Sequence, residues 1–192
     1  IGTALAELGN ERWQRATNKP LRDLSGTGEN WPDDLQADFN DVDVAISRTS
    51  AEYDGREEVR ENEQLYLDMI AAARRFIYFE NQYFTSGAIA AAIAARLDED
   101  DPPEFVMVMP KTADGWLAQM AMDAARVQLV RSIAKSRHGD RLKIYVPHTK
   151  GGDPIYVHAK TAIVDDRLLR IGSSNLNNRS MGLDSECDVT ID

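Results

Sequence analysis

The chain has 192 residues, of which 43% are hydrophobic and 28% charged, enough for one compact domain with its own core. Its 22 Lys and Arg against 32 Asp and Glu give a net charge of −10, which argues against a protein whose main partner is nucleic-acid backbone. The one cysteine, Cys187, excludes an internal disulfide, and no apolar run approaches the roughly 20 residues of a membrane span. We expect a globular protein that is soluble or peripheral at a membrane, and cytoplasmic in preference to secreted.

The two ends of the sequence indicate a piece of a longer polypeptide. The chain begins at Ile1 without a methionine, and it ends at Asp192 inside a segment, 186–192, that alternates as a strand does. Residues 1–55 combine a short helical pattern over 5–15 with Gly and Pro turn formers. We interpret residues 1–55 as a connector and residues 56–192 as the folded domain.

From residue 57 onward, helical and strand patterns alternate. The patterns predict helices over 57–75, 88–97 and 113–137, and strands over 76–79, 104–109, 142–146, 156–164 and 168–172. Ser86 can cap the second helix and Gly139 can end the third, while 165–167 reads as a tight turn between the last two strands. The alternation predicts an α/β domain with a mostly parallel, mixed sheet, one antiparallel hairpin, and helices on both faces.

One segment carries side chains suited to chemistry on a phosphodiester. His158 and Lys160 lie two apart in a predicted strand, so they project to the same side about 6.5 Å apart. The next strand ends at Gly172 and is followed by Ser173 and Asn175, which supply short hydrogen-bond donors. Lys160 and Asn175 would bind the non-bridging oxygens, and His158 would attack phosphorus or protonate the leaving alcohol. The alternative is that His158 is an ordinary packed or half-exposed histidine. However, a lysine without a partner is costly in a covered sheet, which favours a functional role for Lys160.

These residues resemble a known family. The pattern His-x-Lys, four residues, Asp, six residues, Gly-Ser-x-Asn over 158–175 resembles the motif of the phospholipase D superfamily. Two further segments, Glu-Asn-Gln-Tyr-Phe over 80–84 and Asn-Asn-Arg-Ser-Met over 177–181, also resemble true phospholipases D, as does Asp184-Ser-Glu186. The resemblance covers about residues 57–192 and is closest in character to bacterial phospholipases D.

The resemblance assigns site roles to six residues: a catalytic histidine, His158; phosphate ligands, Lys160 and Asn175; a supporting donor, Ser173; the motif aspartate, Asp165; and an acidic residue, Glu186. Asp165 is mainly structural in this family, which agrees with its place at a turn. Glu186 is expected to accept a hydrogen bond from the catalytic imidazole. Its alternative is a surface carboxylate on a strand.

Three further residues, Gln82, Tyr83 and Trp116, could line a lipid or headgroup pocket, although aromatic residues beside an α/β sheet are more often core. The segment His148-Thr-Lys150 imitates the start of the motif but lacks its continuation and lies among loop formers. No metal-binding or nucleotide-binding pattern appears. We expect no metal and no cofactor.

The chain holds one motif, whereas reaction through a phosphohistidine needs a nucleophile and, on the opposite side of phosphorus, an acid. The resemblance implies a second His-x-Lys half, either in the same full-length chain or in an identical chain of a homodimer. The ends of the sequence, and the resemblance of Glu11-Arg-Trp13 to the segment after the first half, favour the first option. The chain is then the C-terminal half, and 1–55 is its linker to the preceding half. In the family the first-half histidine is usually the nucleophile, so the resemblance implies that His158 is the general acid and later the base, while the residues alone leave acid and nucleophile open.

The leading hypothesis is therefore a phospholipase D-type phosphodiesterase at a peripheral membrane surface. It would hydrolyse the headgroup phosphodiester of phospholipids such as phosphatidylcholine through a phosphohistidine, with possible transfer to another alcohol, and it would not bind nucleic acid. The alternatives are a homodimeric nuclease or small phosphodiesterase, a cardiolipin- or phosphatidyl-transferase-type synthase, and a binding role for a half that is inactive alone.

Overall fold

The computed structural model describes residues 1–20, 32, 34–111 and 116–192, except the side chains of 116–122. The described residues form five α-helices: α1 Gly2–Thr17, α2 Glu61–Ala72, α3 Gly87–Leu97, α4 Trp116–Ile133 and α5 Asn178–Gly182. They form eight strands: β1 Val44–Ser50, β2 Val59–Arg60, β3 Phe76–Asn81, β4 Glu104–Val108, β5 Leu142–Tyr145, β6 Lys160–Val164, β7 Leu168–Gly172 and β8 Glu186–Ile191. A short 3-10 helix, Gly139–Arg141, precedes β5.

The chain divides into two compact units, Ile1–Val44 and Ala45–Asp192. The first contains α1, and the second contains the sheet together with α2 to α5. Strand β1, which the sequence patterns did not predict, lies within the range 1–55 expected to be a connector and belongs to the sheet.

The second unit is built on one mixed sheet, which confirms the α/β class. The strand order is β2-β1-β8-β7-β6-β3-β4-β5. β3 with β4 and β4 with β5 are parallel, while β1 with β2, β3 with β6, β6 with β7, and β7 with β8 are antiparallel. Among the described pairs antiparallel pairing is the more frequent, so the sheet is less parallel than predicted. The predicted hairpin of β6 and β7 is present, because the turn over 165–167 returns the chain directly to the neighbouring strand.

The apolar core lies on one face of the sheet. In β3, buried Ile77 and Phe79 alternate with half-buried Phe76 and Tyr78, as expected where one face is covered. The core joins β3 to buried residues of α2, α3 and α4, such as Met69, Ile93 and Ile133. Ser86 begins α3 as predicted, since its hydroxyl accepts a hydrogen bond from the amide of Ile89. Along β3 the side chains on the other face are half-buried.

Strand β6 begins at Lys160, four residues later than the predicted 156–164. Its partner β3 ends at Asn81, which pairs with Lys160. Residues 156–159 therefore lie outside the named strands, because a strand needs a partner for its backbone hydrogen bonds.

Candidate functional site

The register of four neighbouring strands brings most of the predicted site residues to one edge of the sheet. Asn81 pairs with Lys160, and Gly172 pairs with Asp188. Thr161 pairs with Ile171, so the same register places Lys160 opposite Gly172. Adjacent strands lie about 4.8 Å apart, and the residues that follow Asn81 and Gly172 therefore emerge beside Lys160.

The ammonium group of Lys160 is anchored but not fully used. Its Nζ donates to Oε1 of Gln82 at 3.2 Å and to the carbonyl oxygen of His158 at 2.8 Å. Burial lowers the pKa of Lys160, the nearby guanidinium of Arg170 lowers it further, and the carboxylate of Glu186 opposes both. Because an ammonium has three donors, one remains for an anion at this edge.

His158 is exposed and lies just before β6. The sequence analysis expected its side chain to stand beside that of Lys160 on one strand, but here its backbone carbonyl accepts the lysine hydrogen bond. Its imidazole packs on the ring of Tyr156, with centroids 6.2 Å apart and an angle of 20° between the planes. The ring nitrogens are therefore accessible to a bound molecule.

Gln82 connects the residues around the lysine. It is 8% exposed, and its Nε2 donates to Oη of Tyr156 at 2.5 Å and to Oη of Tyr83 at 3.0 Å. Two of the three residues expected to line a pocket, Gln82 and Tyr83, therefore lie in the site. The side chain of Trp116 lies outside the described residues.

The loop after β7 is held by Asp188 of β8. Oδ1 of Asp188 accepts hydrogen bonds from the amides of Ser173 and Ser174 at 2.9 and 3.1 Å. This close approach explains Gly172, because a Cβ there would lie 2.6 Å from Cα of Asp188. The glycine of the motif is thus required by the neighbouring strand.

Asn175 is half-buried within this loop, and its Oδ1 is buried without a hydrogen-bond partner. The loop continues to Leu176, whose amide donates to Oδ1 of Asn81 at 3.1 Å. Asn81 is 1% exposed, and its Nδ2 also lacks a partner among the described residues. Two buried amide atoms without partners, each of them costly to bury, therefore lie in this loop and at the adjoining end of β3.

A buried network around Arg170 supports the loop and was missed from the sequence. Arg170 and Asp188 are both 0% exposed and form an ion pair. The guanidinium also donates to the carbonyl oxygens of Lys160 at 3.0 Å and Ser174 at 3.1 Å, and it lies 4.6 Å from the ring centre of Tyr66. The available signal was an opposite pair of charges at inward-facing positions of two predicted strands.

Tyr66 of α2 completes this network. Its hydroxyl donates to the carbonyl oxygen of Ser174 at 3.0 Å, and burial raises the pKa of Tyr66 to about 12. The phenol therefore stays neutral and keeps its proton for the loop.

Glu186 lies at the same edge with both carboxylate oxygens occupied. Oε2 accepts from the hydroxyl of Ser173 at 2.5 Å and Oε1 from the hydroxyl of Ser180 at 2.6 Å. The expected hydrogen bond from His158 to Glu186 is not formed among the described residues, because the two serine hydroxyls take its place. The hydroxyl of Ser173, expected to support a phosphate, is turned toward Glu186.

Asp165 lies at the opposite end of β6, five residues from Lys160 and so about 16 Å along the strand. Its carboxylate accepts hydrogen bonds from the amides of Arg74, Arg75 and Phe76 at 2.7 to 2.9 Å. Burial would raise the pKa of Asp165, but the three amide donors outweigh burial and hold the pKa below its ordinary value of 3.8. Asp165 ties the hairpin turn to the start of β3 and does not touch a ligand at Lys160.

The described residues contain no group of three His, Cys, Asp or Glu side chains arranged to hold a metal ion. Among the described helices, none combines the length and the apolar character needed to cross a membrane. What the arrangement offers is one cation, one exposed imidazole and several polar donors at a shared edge, a set that could bind a phosphate ester and exchange a proton with it.

Comparison with protein families gives a match over residues 66–192 to the family described as "Cardiolipin synthase, PLD-like domain". Among curated proteins, phospholipase D zeta 2 of Arabidopsis thaliana is 30% identical over 173 residues, which cover 66% of this chain and 16% of that protein. A phospholipase D of Phytophthora infestans is 24% identical over 165 residues, covering 66% of this chain and 9% of that protein. The chain thus matches only a small part of these relatives.

Solved structures share the fold at low sequence identity. The phospholipase D family member Nuc from Salmonella typhimurium aligns with a TM-score of 0.57 and 20% identity, over 78% of this chain and 82% of that chain. The phosphatidylserine synthase of Haemophilus influenzae aligns with a TM-score of 0.59 and 16% identity, over 78% of this chain and 34% of that chain. Both support the mixed α/β architecture.

Proposed function

The chain belongs to the phospholipase D superfamily of phosphodiesterases and phosphotransferases, and we propose that it is one half of an enzyme that hydrolyses the headgroup phosphodiester of phospholipids. The observation that carries this proposal is the anchored ammonium of Lys160, which lies at one sheet edge with the exposed imidazole of His158 and the loop of Asn175. These three residues supply an anion ligand, a proton donor and an amide.

In this proposal the phosphate is bound by one charged donor and one amide donor. The third donor of Lys160, which has no partner among the described residues, binds one non-bridging oxygen. The Nδ2 group of Asn175 donates to the second. Ser173 supports the site through its hydrogen bond to Glu186, and a rotation of its hydroxyl would add a donor. Gln82 and Tyr83 form the wall on the β3 side.

The chemistry requires two in-line displacements. In the first, the histidine of the partner half, which this chain does not contain, forms a nitrogen–phosphorus bond while the bond from phosphorus to the headgroup oxygen breaks. His158 gives its proton to the departing alcohol. In the second, His158 removes a proton from water, the oxygen–phosphorus bond forms, and the nitrogen–phosphorus bond breaks. The products are phosphatidic acid and the free alcohol. The partner half comes from the same full-length chain or from an identical chain.

Two observations favour a phospholipid over a nucleic acid as the substrate: the net charge of the chain and the names of its relatives. A net charge of −10 opposes approach to a polyanion, and the curated relatives carry the name phospholipase D. A second candidate is phosphatidyl transfer to an alcohol, since the matching family is described by a cardiolipin synthase. Hydrolysis and transfer differ only in whether water or an alcohol reaches the intermediate.

The test is choline release from phosphatidylcholine vesicles by the full-length protein that contains this chain. His158→Ala should lower the rate by about 10² to 10⁴-fold, the usual contribution of a general acid. His148→Ala is the matched control, because His148 is exposed in a similar His-x-Lys segment and bonds only the carbonyl oxygen of Val146 among the described residues. Most activity surviving in His158→Ala would refute the proposal, and cleavage of DNA but not lipid would favour the nuclease alternative.

A further inference from the structure

The ring of Tyr156 is the contact that restrains the reactive imidazole. His158 lies outside the sheet and is exposed, so backbone pairing does not fix its side chain. Within the described part of the chain, its imidazole contacts one other ring, that of Tyr156, at 6.2 Å between centroids and nearly parallel. The orientation of the imidazole therefore depends on where Tyr156 is held.

Tyr156 is held by Gln82 although much of it faces solvent. The residue is 44% exposed, whereas Gln82 is 8% exposed. An exposed tyrosine normally leaves its hydroxyl to water, but Oη of Tyr156 accepts a hydrogen bond from Nε2 of Gln82 at 2.5 Å. A buried amide on one strand end thus anchors an exposed ring on another segment.

The same amide also holds the phosphate ligand. Oε1 of Gln82 accepts from Nζ of Lys160 at 3.2 Å, and Asn81, the residue before Gln82, pairs with Lys160 in the sheet. One planar amide therefore fixes the ammonium through its oxygen and the tyrosine ring through its nitrogen. Gln82 thus links the ammonium of Lys160 to the ring on which the imidazole packs.

We propose that Tyr156, anchored by Gln82, is a positioning residue that aligns the His158 imidazole with a phosphate bound at Lys160. This inference rests on the proposed function, because it takes His158 to be the proton donor. Alignment matters since a misplacement of about 1 Å can cost about 10²-fold in rate. Tyr156 acts through His158 and does not touch the reacting atoms.

The experiment compares two phosphatidyl esters in the full-length protein: phosphatidylcholine, whose alcohol must be protonated to leave, and phosphatidyl-p-nitrophenol, whose leaving group departs as a stable anion. The quantity measured is kcat/KM for alcohol release, which reports the first displacement. Tyr156→Ala should lower it by about 10²-fold for phosphatidylcholine and leave it nearly unchanged for the activated ester. Tyr156→Phe, which keeps the ring and loses the anchor, should fall between Tyr156→Ala and the unchanged protein.

Two further variants separate positioning from general damage. Gln82→Ala should lower kcat with phosphatidylcholine and also raise KM for both esters, because Lys160 loses one of its two partners. Tyr53→Ala, which removes a tyrosine that is 80% exposed in a distant turn, should change neither. Equal losses on the two esters in Tyr156→Ala, or no loss on either, would overturn the inference.

The outcomes also distinguish this inference from the proposed function. If His158→Ala abolishes choline release while Tyr156→Ala leaves it intact, the inference alone fails. If His158→Ala retains choline release, the proposed function fails first.

Discussion

Replacement of Asp165 by alanine should destabilise the fold without touching the site. The substitution removes the acceptor for three backbone amides, those of Arg74, Arg75 and Phe76. A hydrogen bond contributes about 1 kcal/mol net, and the partly exposed amides can bind water instead. We therefore expect a loss of about 2 to 3 kcal/mol in the free energy of unfolding.

The matched control is Asp166→Ala in the same turn. Asp165 and Asp166 both have positive φ, 52° and 59°, so alanine carries the same backbone strain at either position. In the part of the chain that the structure describes, the Asp166 carboxylate makes only an exposed ion pair with Arg75, a kind of contact that stabilises little. The difference between the two variants in urea unfolding isolates the three hydrogen bonds.

The pH dependence of the unfolding free energy is a second test of the hydrogen bonds that the Asp165 carboxylate accepts. The folded-state pKa of Asp165 lies below its ordinary value of 3.8, so its stabilisation is fully present above that pH and is lost as the pH falls through the folded-state value. The difference between Asp165→Ala and Asp166→Ala should shrink in acid. Equal unfolding midpoints for these variants at pH 7, or an activity loss exceeding the loss of folded protein, would refute a structural role.

The other predictions concern the residues at the opposite edge. Arg170→Met should lower the free energy of unfolding by about 3 to 5 kcal/mol, because the buried carboxylate of Asp188 loses its partner, and urea unfolding measures this. Arg167→Met, which removes an exposed ion pair with Asp192, should leave the midpoint nearly unchanged. Glu186→Gln removes a charge that raises the pKa of Lys160, so the alkaline limb of kcat/KM against pH should move to lower pH.

Each of these two expectations has a clear contrary result. A stability loss for Arg170→Met no larger than that for Arg167→Met would mean that the buried pair contributes little. An alkaline limb that stays in place or moves upward in Glu186→Gln would mean that the ammonium of Lys160 does not govern that limb.

Most of the regular structure could be predicted because its causes are local. The helix after Ser86 begins at its capping residue, and the turn over 165–167 contains the residues that turns require. The two strands that the patterns missed, β1 and β2, are short or partly exposed and exist only by pairing within the sheet. The late start of β6 has the same cause, since its first residue is set by the end of β3.

The chemical groups of the site were predictable from the motif, but their support was not. Tyr66 and Ser174 are 108 residues apart in sequence, and Gln82 and Tyr156 are 74 apart. No local pattern encodes such pairs. The hydrogen-bond donors to Glu186 were also unpredictable, because a carboxylate near an imidazole and two serine hydroxyls can accept from the imidazole or from the hydroxyls.

The spacing of the motif itself follows from the sheet. The four residues between Lys160 and Asp165 fill β6, so that spacing is the length of strand needed to place an ammonium at one edge and an amide-binding carboxylate at the other. The six residues between Asp165 and Gly172 are the rest of the turn and the return strand β7. Side chains alternate between the two faces of a strand, so both spacings are constrained. Adding or removing one residue would turn Lys160 to the other face of the sheet. The motif therefore contains both the residues that contact substrate in the proposed reaction and, about 16 Å away along β6, the carboxylate of Asp165 that binds the start of β3.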